Sequence, residues 1–167
     1  MLVFIQTGGT IDKDYPRAVG GYAFEIAQPA SGRVIRQANV AFLYRELTCC
    51  KKDSQNITDA DRTHLLHQIE DLPEDEAKVV VTHGSDTLIE TACFLERNIE
   101  KYKTVVLTGS LKPEKFVDSD ATFNLGFAVG CAQVLGPGVY VAMSGMLHKP
   151  SEVARDATTG RFIAKDV

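Results

Sequence analysis

Five short apolar runs, with helix-period patterns between the later ones, predict an α/β fold whose mostly parallel sheet carries helices on both faces. Strands that alternate with helices imply right-handed crossovers, which distribute the helices over the two faces. The expected architecture is three-layered and flavodoxin- or Rossmann-like. A chain of 167 residues, 44% of them hydrophobic, can bury a sizeable core and is expected to form one domain over residues 1–167.

The first run, Leu2 to Gln6, leads straight into Thr7-Gly8-Gly9-Thr10. From Lys13 to Ser31 there is no clear period and four glycine or proline residues, so this segment reads as a long loop of the kind that often acts as a lid. Val40 to Thr48 alternates less cleanly and is expected at a sheet edge. Thr58-Asp59-Ala60-Asp61 resembles a capping box, and Leu65, Leu66, Ile69 and Leu72 continue it at helix spacing until Pro73. Lys78 to Thr82 is the third strand. Leu88, Ala92, Leu95 and Ile99 mark a second helix, and Thr104 to Thr108 a fourth strand. Phe123, Phe127, Val129 and Val134 are read as the buried stripe of a third helix, closed by Gly136-Pro137. Val139 to Ser144 is the fifth strand. In the remaining tail, Pro150 and Thr159-Gly160 suit a hairpin or the entrance to a further segment.

A formal net charge of −4 and an isoelectric point near 5.5 provide no basic footprint, which argues against nucleic acid and anionic membranes as partners. No apolar stretch approaches the length of a signal sequence or a membrane span. The four cysteines (Cys49, Cys50, Cys93, Cys131) follow neither zinc nor disulfide-framework spacing. Cys93 and Cys131 read as small core residues in helices. A reduced, cytoplasmic protein without metal or cofactor is the expectation.

Four strands are followed by small polar residues: Thr7 to Thr10, Asp53-Ser54-Gln55, Thr82 to Thr87, and Thr108-Gly109-Ser110. In a parallel sheet these stretches share the carboxyl edge, where open α/β sheets bind ligands. Each alone is also what a βα loop or helix cap requires. The GxGxxG and GxxxxGK[ST] phosphate patterns are missing, so a nucleotide site is weakly supported. Ser85 and Asp86, a hydroxyl beside a carboxylate ahead of a helix, suit a cap and equally a polarised substrate. His83 reads as a structural histidine rather than a base. His64 and His67 fall on a polar helix and read as solvated.

TGGTID at Thr7 to Asp12 and THGSDTLIET at Thr82 to Thr91 resemble the two signature motifs of the bacterial-type L-asparaginases, which carry TGGTIA-like and HGTDT-like stretches. Asp53 to Ile57 resembles the substrate-binding loop of that family. Val105 to Pro113 and Asp118 to Leu125 follow its VxxGAMRP and SADGPFNL patterns in outline. The resemblance runs in order through nearly the whole chain.

It implies hydrolysis of the asparagine side-chain amide to aspartate and ammonia, without cofactor or metal. Carried over residue by residue, Thr10 is the nucleophile, activated by a loop tyrosine, Tyr22 or else Tyr15. Ser85 stands for the second catalytic threonine. Asp86 holds the substrate's amino group, Ser54 and Gln55 its carboxylate, and Asp53 orients that loop. Gly8 and Gly9 make the tight turn, with N–H groups, Gly9 among them, directed at the substrate oxyanion.

Two departures stand out. The lysine of the family's VTKTNTT-like stretch falls on Arg155, which supplies charge but does not readily pass a proton; Lys149 is the other candidate for the role. Family members typically carry a further C-terminal domain, and this chain ends without one. A homodimer or higher oligomer is therefore expected to complete the site. Glutaminase or another amidase activity is the nearby alternative, because one methylene in a pocket is worth only ~1–3 kcal/mol. A catalytically weak amino-acid-binding member is the further one.

Overall fold

The computed structural model describes residues 1–15, 23–99 and 102–165. Its main sheet has six strands: β1 (Leu2–Gly8), β4 (Tyr44–Lys52), β5 (Lys78–Thr82), β6 (Thr104–Thr108), β7 (Gly138–Met143) and β8 (Met146–His148). Their order is β4-β1-β5-β6-β7-β8, the first five parallel and β8 antiparallel at the edge. Two small ribbons complete the strands. β2 (Lys13–Asp14) pairs with β3 (Glu25–Ile26), and β9 (Val153–Arg155) with β10 (Phe162–Ala164).

Successive strand residues point to opposite faces, and two separate cores result. Val3, Ile5, Val79, Val81, Val105 and Leu107 pack under α2 (Asp59–Glu70) and α3 (Leu88–Asn98). Leu2, Phe4, Val80 and Val106 pack on the other face with α1 (Ala30–Gln37) and α4 (Ala121–Val134). The sheet thus has helices on both sides, the three-layer arrangement expected. β1, β5, β6 and β7 form because near-continuous Val, Leu and Ile runs suit strands buried on both faces. The capping box before α2 is complete: Asp61 N–H donates to Thr58 Oγ1 at 3.3 Å, and Thr58 N–H donates to the Asp61 carboxylate at 2.8 Å.

Three expectations are corrected. β4 covers Tyr44–Lys52 rather than Val40 to Thr48. It is the edge strand, as expected, and an edge tolerates the charged Lys51 and Lys52. The expected long loop contains the start of α1, whose short stripe (Ala30, Val34, Ile35) lies among Gly, Ser and Arg. On α4 Val129 is buried and Phe127 partly buried as expected, but the rest of the buried face is Ala121, Asn124, Leu125, Ala128, Cys131 and Ala132, while Phe123 and Val134 are exposed. The small residues of that face let the helix lie close to the sheet. Among the described residues, no helix is long and apolar enough to cross a membrane.

Candidate active site

Beyond the carboxyl ends of β1, β4 and β5 lies a cleft of about 360 Å³, lined by Gly9, Thr10, Lys13, Asp53, Ser54, Gln55, Asn56, Gly84, Ser85, Asp86, Leu111 and Arg155. All four polar stretches that follow strands border it or support its walls. Glycines make the close approach possible. Gly9 has φ +85° and ψ −175°, and a Cβ there would stand 2.3 Å from the Gly84 Cα. A Cβ on Gly84 would meet the Ser54 Cβ at 2.7 Å. Three backbones therefore touch at one point, and Thr10, Ser54 and Ser85 are brought to the same wall.

Thr10 opens a short 3-10 turn, Thr10–Asp12, and is half-buried on the cleft wall. The Gly9 N–H donates to the Lys52 carbonyl at 2.9 Å, so it is engaged in the sheet and not directed at a substrate as expected. The N–H groups of Thr10 and Ile11, the first of the turn, have no acceptor within it. Thr7 closes the strand structurally, its hydroxyl donating to the Thr82 carbonyl at 2.9 Å. Thr108 and Ser110 are buried, with hydroxyls donating to the Ala142 and Lys112 carbonyls, so the cleft receives Leu111 rather than these hydroxyls.

The charged centre is Asp86. Its Oδ1 accepts from Arg155 Nη1 at 2.5 Å and its Oδ2 from Gln55 Nε2 at 2.8 Å. The Arg155 guanidinium, with the Gln55 amide adding to it, holds the Asp86 carboxyl below the usual carboxylate range. The Asp86 N–H donates to Ser54 Oγ at 3.2 Å, and Thr87 Oγ1 donates to the Ser54 carbonyl at 2.7 Å. Ser54 is thus the clamp between the two loops. Asp53 pairs with Lys13 at 2.7 Å.

Arg155 reaches the cleft from β9. The hairpin that carries it turns on Asp156, whose Oδ1 accepts from the Thr158 and Thr159 N–H groups, and is pinned by buried Val153 and Phe162. The other candidate for this position is placed elsewhere. Lys149 Nζ lies 4.0 Å above the Tyr140 ring and 3.2 Å from where a Gly138 Cβ would stand, at the amino end of β7. Tyr15 does not line the cleft; its ring packs edge-on against Phe24, which in turn contacts Phe116. Tyr22 lies outside the described residues. Lys13, Asn56 and Leu111 line the cleft without having been singled out in the sequence; Lys13 and Asn56 directly follow or belong to the quoted motifs.

Asp12 completes the first motif from below. It is fully buried, its Oδ1 accepts from the Ala30 N–H at 2.7 Å, and Oδ2 has no partner among the described residues. Burial pushes its pKa up to about 6, against the lowering pull of Ala30, Gln6 and the charges of Arg33 and Lys51. A folded-state pKa above the unfolded value means that the native chain holds the proton more tightly. Stability from this group is full below about pH 4 and is lost as pH rises through about 6. The Asp12→Asn variant, measured by urea denaturation, is therefore expected to gain on the parent chain between pH 4 and pH 7, by roughly 2–3 kcal/mol. A difference that does not change with pH would refute this account.

The sequence matches the family model described as "Asparaginase, N-terminal" over residues 1–162. This chain belongs to the asparaginase family. The match covers the N-terminal part of the family's proteins. A glutaminase-asparaginase of Acinetobacter glutaminasificans is 30% identical over 167 residues, covering 95% of this chain and 49% of that protein. A probable periplasmic L-asparaginase of Haemophilus influenzae is 30% identical over 165 residues, covering 95% and 47%. The thermostable L-asparaginase of Thermococcus kodakarensis superimposes with a TM-score of 0.85 at 26% identity, covering 98% of this chain and 50% of that one. A probable cytoplasmic L-asparaginase of Campylobacter jejuni gives 0.83 at 26% identity, covering 99% and 53%. This asparaginase-family chain thus spans about half the length of these relatives.

Proposed function

We propose that this asparaginase-family chain is an amidohydrolase that cleaves the side-chain amide of L-asparagine to L-aspartate and ammonia, with Thr10 as nucleophile and residues 1–167 as one catalytic domain. The observation that carries the reading is the convergence of Thr10, Ser85 and Asp86 on one small polar cleft. The Thr10 hydroxyl adds to the amide carbon, giving up its proton to a base, for which Tyr22 is the better candidate because the Tyr15 ring is engaged with Phe24. The tetrahedral oxyanion collapses, the C–N bond breaks, and the nitrogen leaves as ammonia after taking up a proton. Water then hydrolyses the acyl-threonine ester and restores the hydroxyl. Asp86 binds the substrate's ammonium group, for which Arg155 and Gln55 hold its carboxylate ionised.

The experiment is ammonia release from L-asparagine and L-glutamine in parallel, with sedimentation of the same preparation. Release from L-asparagine supports the reading, and its absence from both amides overturns it. Faster release from L-glutamine would favour a glutaminase, an alternative supported by the Acinetobacter relative's name. An oligomer is proposed because Leu111 and Phe123 leave apolar surface beside the cleft; an active monomer would refute that part. Action in the cytoplasm is proposed on the likeness to the probable cytoplasmic L-asparaginase of Campylobacter jejuni.

Arg155 separates an active enzyme from a weak one. A guanidinium keeps its proton, so any step in which the family's lysine passes one is slow here. Arg155→Lys is expected to change kcat by about tenfold or more while KM stays within about threefold. An unchanged kcat would count against a catalytic part for this position.

A further inference from the structure

His83 lies directly behind the cleft wall, fully buried, and both ring nitrogens are engaged. Nδ1 stands 2.8 Å from the Gly84 carbonyl oxygen. A carbonyl can only accept, so Nδ1 carries a proton and donates. Burial pushes the pKa of this imidazole down to about 4, so at neutral pH the ring holds that proton alone and Nε2 is bare. Nε2 stands 2.9 Å from Thr91 Oγ1, which therefore donates to it. Arg62 Nε donates in turn to Thr91 Oγ1 at 3.1 Å, and Arg62 is tied to Asp59 at 2.9 Å and Glu90 at 3.4 Å. The chain of donors has one direction: Arg62 to Thr91 to His83 to the Gly84 carbonyl.

That direction sets the orientation of the peptide between Gly84 and Ser85. Among the described residues all peptide bonds are trans, so the Ser85 N–H is anti to the Gly84 carbonyl. The carbonyl is drawn to the buried ring, so the Ser85 N–H points away from that ring, and Ser85 itself lines the cleft. Among the described residues no backbone carbonyl takes the Ser85 N–H. Gly9 and Ser54 fix where Gly84 sits, but a glycine leaves the rotation of its peptide plane soft. The imidazole supplies that restraint.

We propose that His83 is a positioning residue: the Arg62–Thr91–His83 relay locks the Gly84–Ser85 peptide so that the Ser85 N–H is presented to the oxyanion formed from the substrate amide. The inference rests on the amidohydrolase reading for the identity of the oxyanion, and on the hydrogen bonds alone for the orientation of the peptide. His83 touches no substrate and transfers no proton.

Asparagine and leucine at position 83 separate this role from simple packing. They are close in shape, and only the asparagine Nδ2 can donate from the position of Nδ1. His83→Leu is expected to lower kcat for amide hydrolysis by about tenfold or more with KM within about twofold, and His83→Asn to recover most of the loss. In 15N–1H spectra the Ser85 amide resonance should move in His83→Leu and stay near its parent position in His83→Asn. Equal kcat values and equal Ser85 resonances in the two variants would overturn the proposal, as would a loss confined to KM. The spectral comparison needs no turnover, so a parent chain that releases no ammonia refutes the amidohydrolase reading while the orientation is still decided. If neither variant folds, Thr91→Val and Thr91→Ser carry the same comparison through Nε2: the valine variant should shift the Ser85 resonance and the serine variant should not. Equal resonances in that pair would also overturn the proposal.

Discussion

Thr10→Ala is expected to lower ammonia release from L-asparagine by at least about a thousandfold while leaving the fold intact. Thr10 sits at the first position of a 3-10 turn, half-buried, with its side chain on the cleft wall and its neighbours fixed by backbone contacts. Alanine keeps the backbone and removes only the hydroxyl and a methyl, so the urea midpoint should hardly move. The loss should appear in kcat, because binding of the amino acid is assigned to Asp86, Gln55 and Ser54. A burst of ammonia equal to one per chain in the parent, missing in the variant, would place the acyl ester on this oxygen. Full activity in Thr10→Ala would transfer the nucleophile to Ser85, because the third hydroxyl of the cleft wall, that of Ser54, is held by the Asp86 N–H.

The second large effect belongs to Gly9. At φ +85° and ψ −175° its backbone lies in a region that is essentially closed to residues with a Cβ. The added carbon would also stand 2.3 Å from the Gly84 Cα and 2.4 Å from the Gly84 N, atoms that cannot rotate aside. Strain and overpacking together predict a destabilisation of about 2–5 kcal/mol for Gly9→Ala, with activity lost even in the fraction that folds. Gly126→Ala is the control, because a Cβ there meets nothing within 4 Å on an exposed helical position. It should stabilise by about 0.5–1 kcal/mol. A Gly9→Ala chain as stable as Gly126→Ala would contradict the close-contact account.

The sequence reveals those parts of the molecule that local chemistry alone decides. β1, β5 and β6 fall on the predicted residues because strands buried on both faces need unbroken apolar runs. The capping box before α2 is legible for the same reason, since both of its hydrogen bonds lie within four residues. α4 is misread where volume matters more than hydrophobicity: the helix buries alanines and Asn124 and leaves Phe123 outside. The short α1 carries too few apolar residues to signal itself among Gly, Ser and Arg. At the site, the rim stretches were identifiable from the carboxyl-edge rule, and a gap-free reading placed Arg155 where it meets Asp86. The partners of His83 were not identifiable, because Thr91 lies a full helix turn inside α3 and Arg62 on a different helix. The commitment of the Gly9 N–H to Lys52 depends on the register of β4, which the sequence misplaces by four residues at each end.

Asp86 and Arg155 are 69 residues apart, and Arg155 comes from β9, which is made after all five parallel strands. During synthesis the Asp86 loop is therefore made before its Arg155 partner, although Lys13, the cleft's other cation, comes first. With chains elongating at about 5–20 residues per second, a nascent cleft would wait several seconds with the Asp86 carboxylate open to solvent or to any passing amine. The β9–β10 hairpin thus comes last to the cleft: Arg155 reaches Asp86 only once that hairpin has left the ribosome.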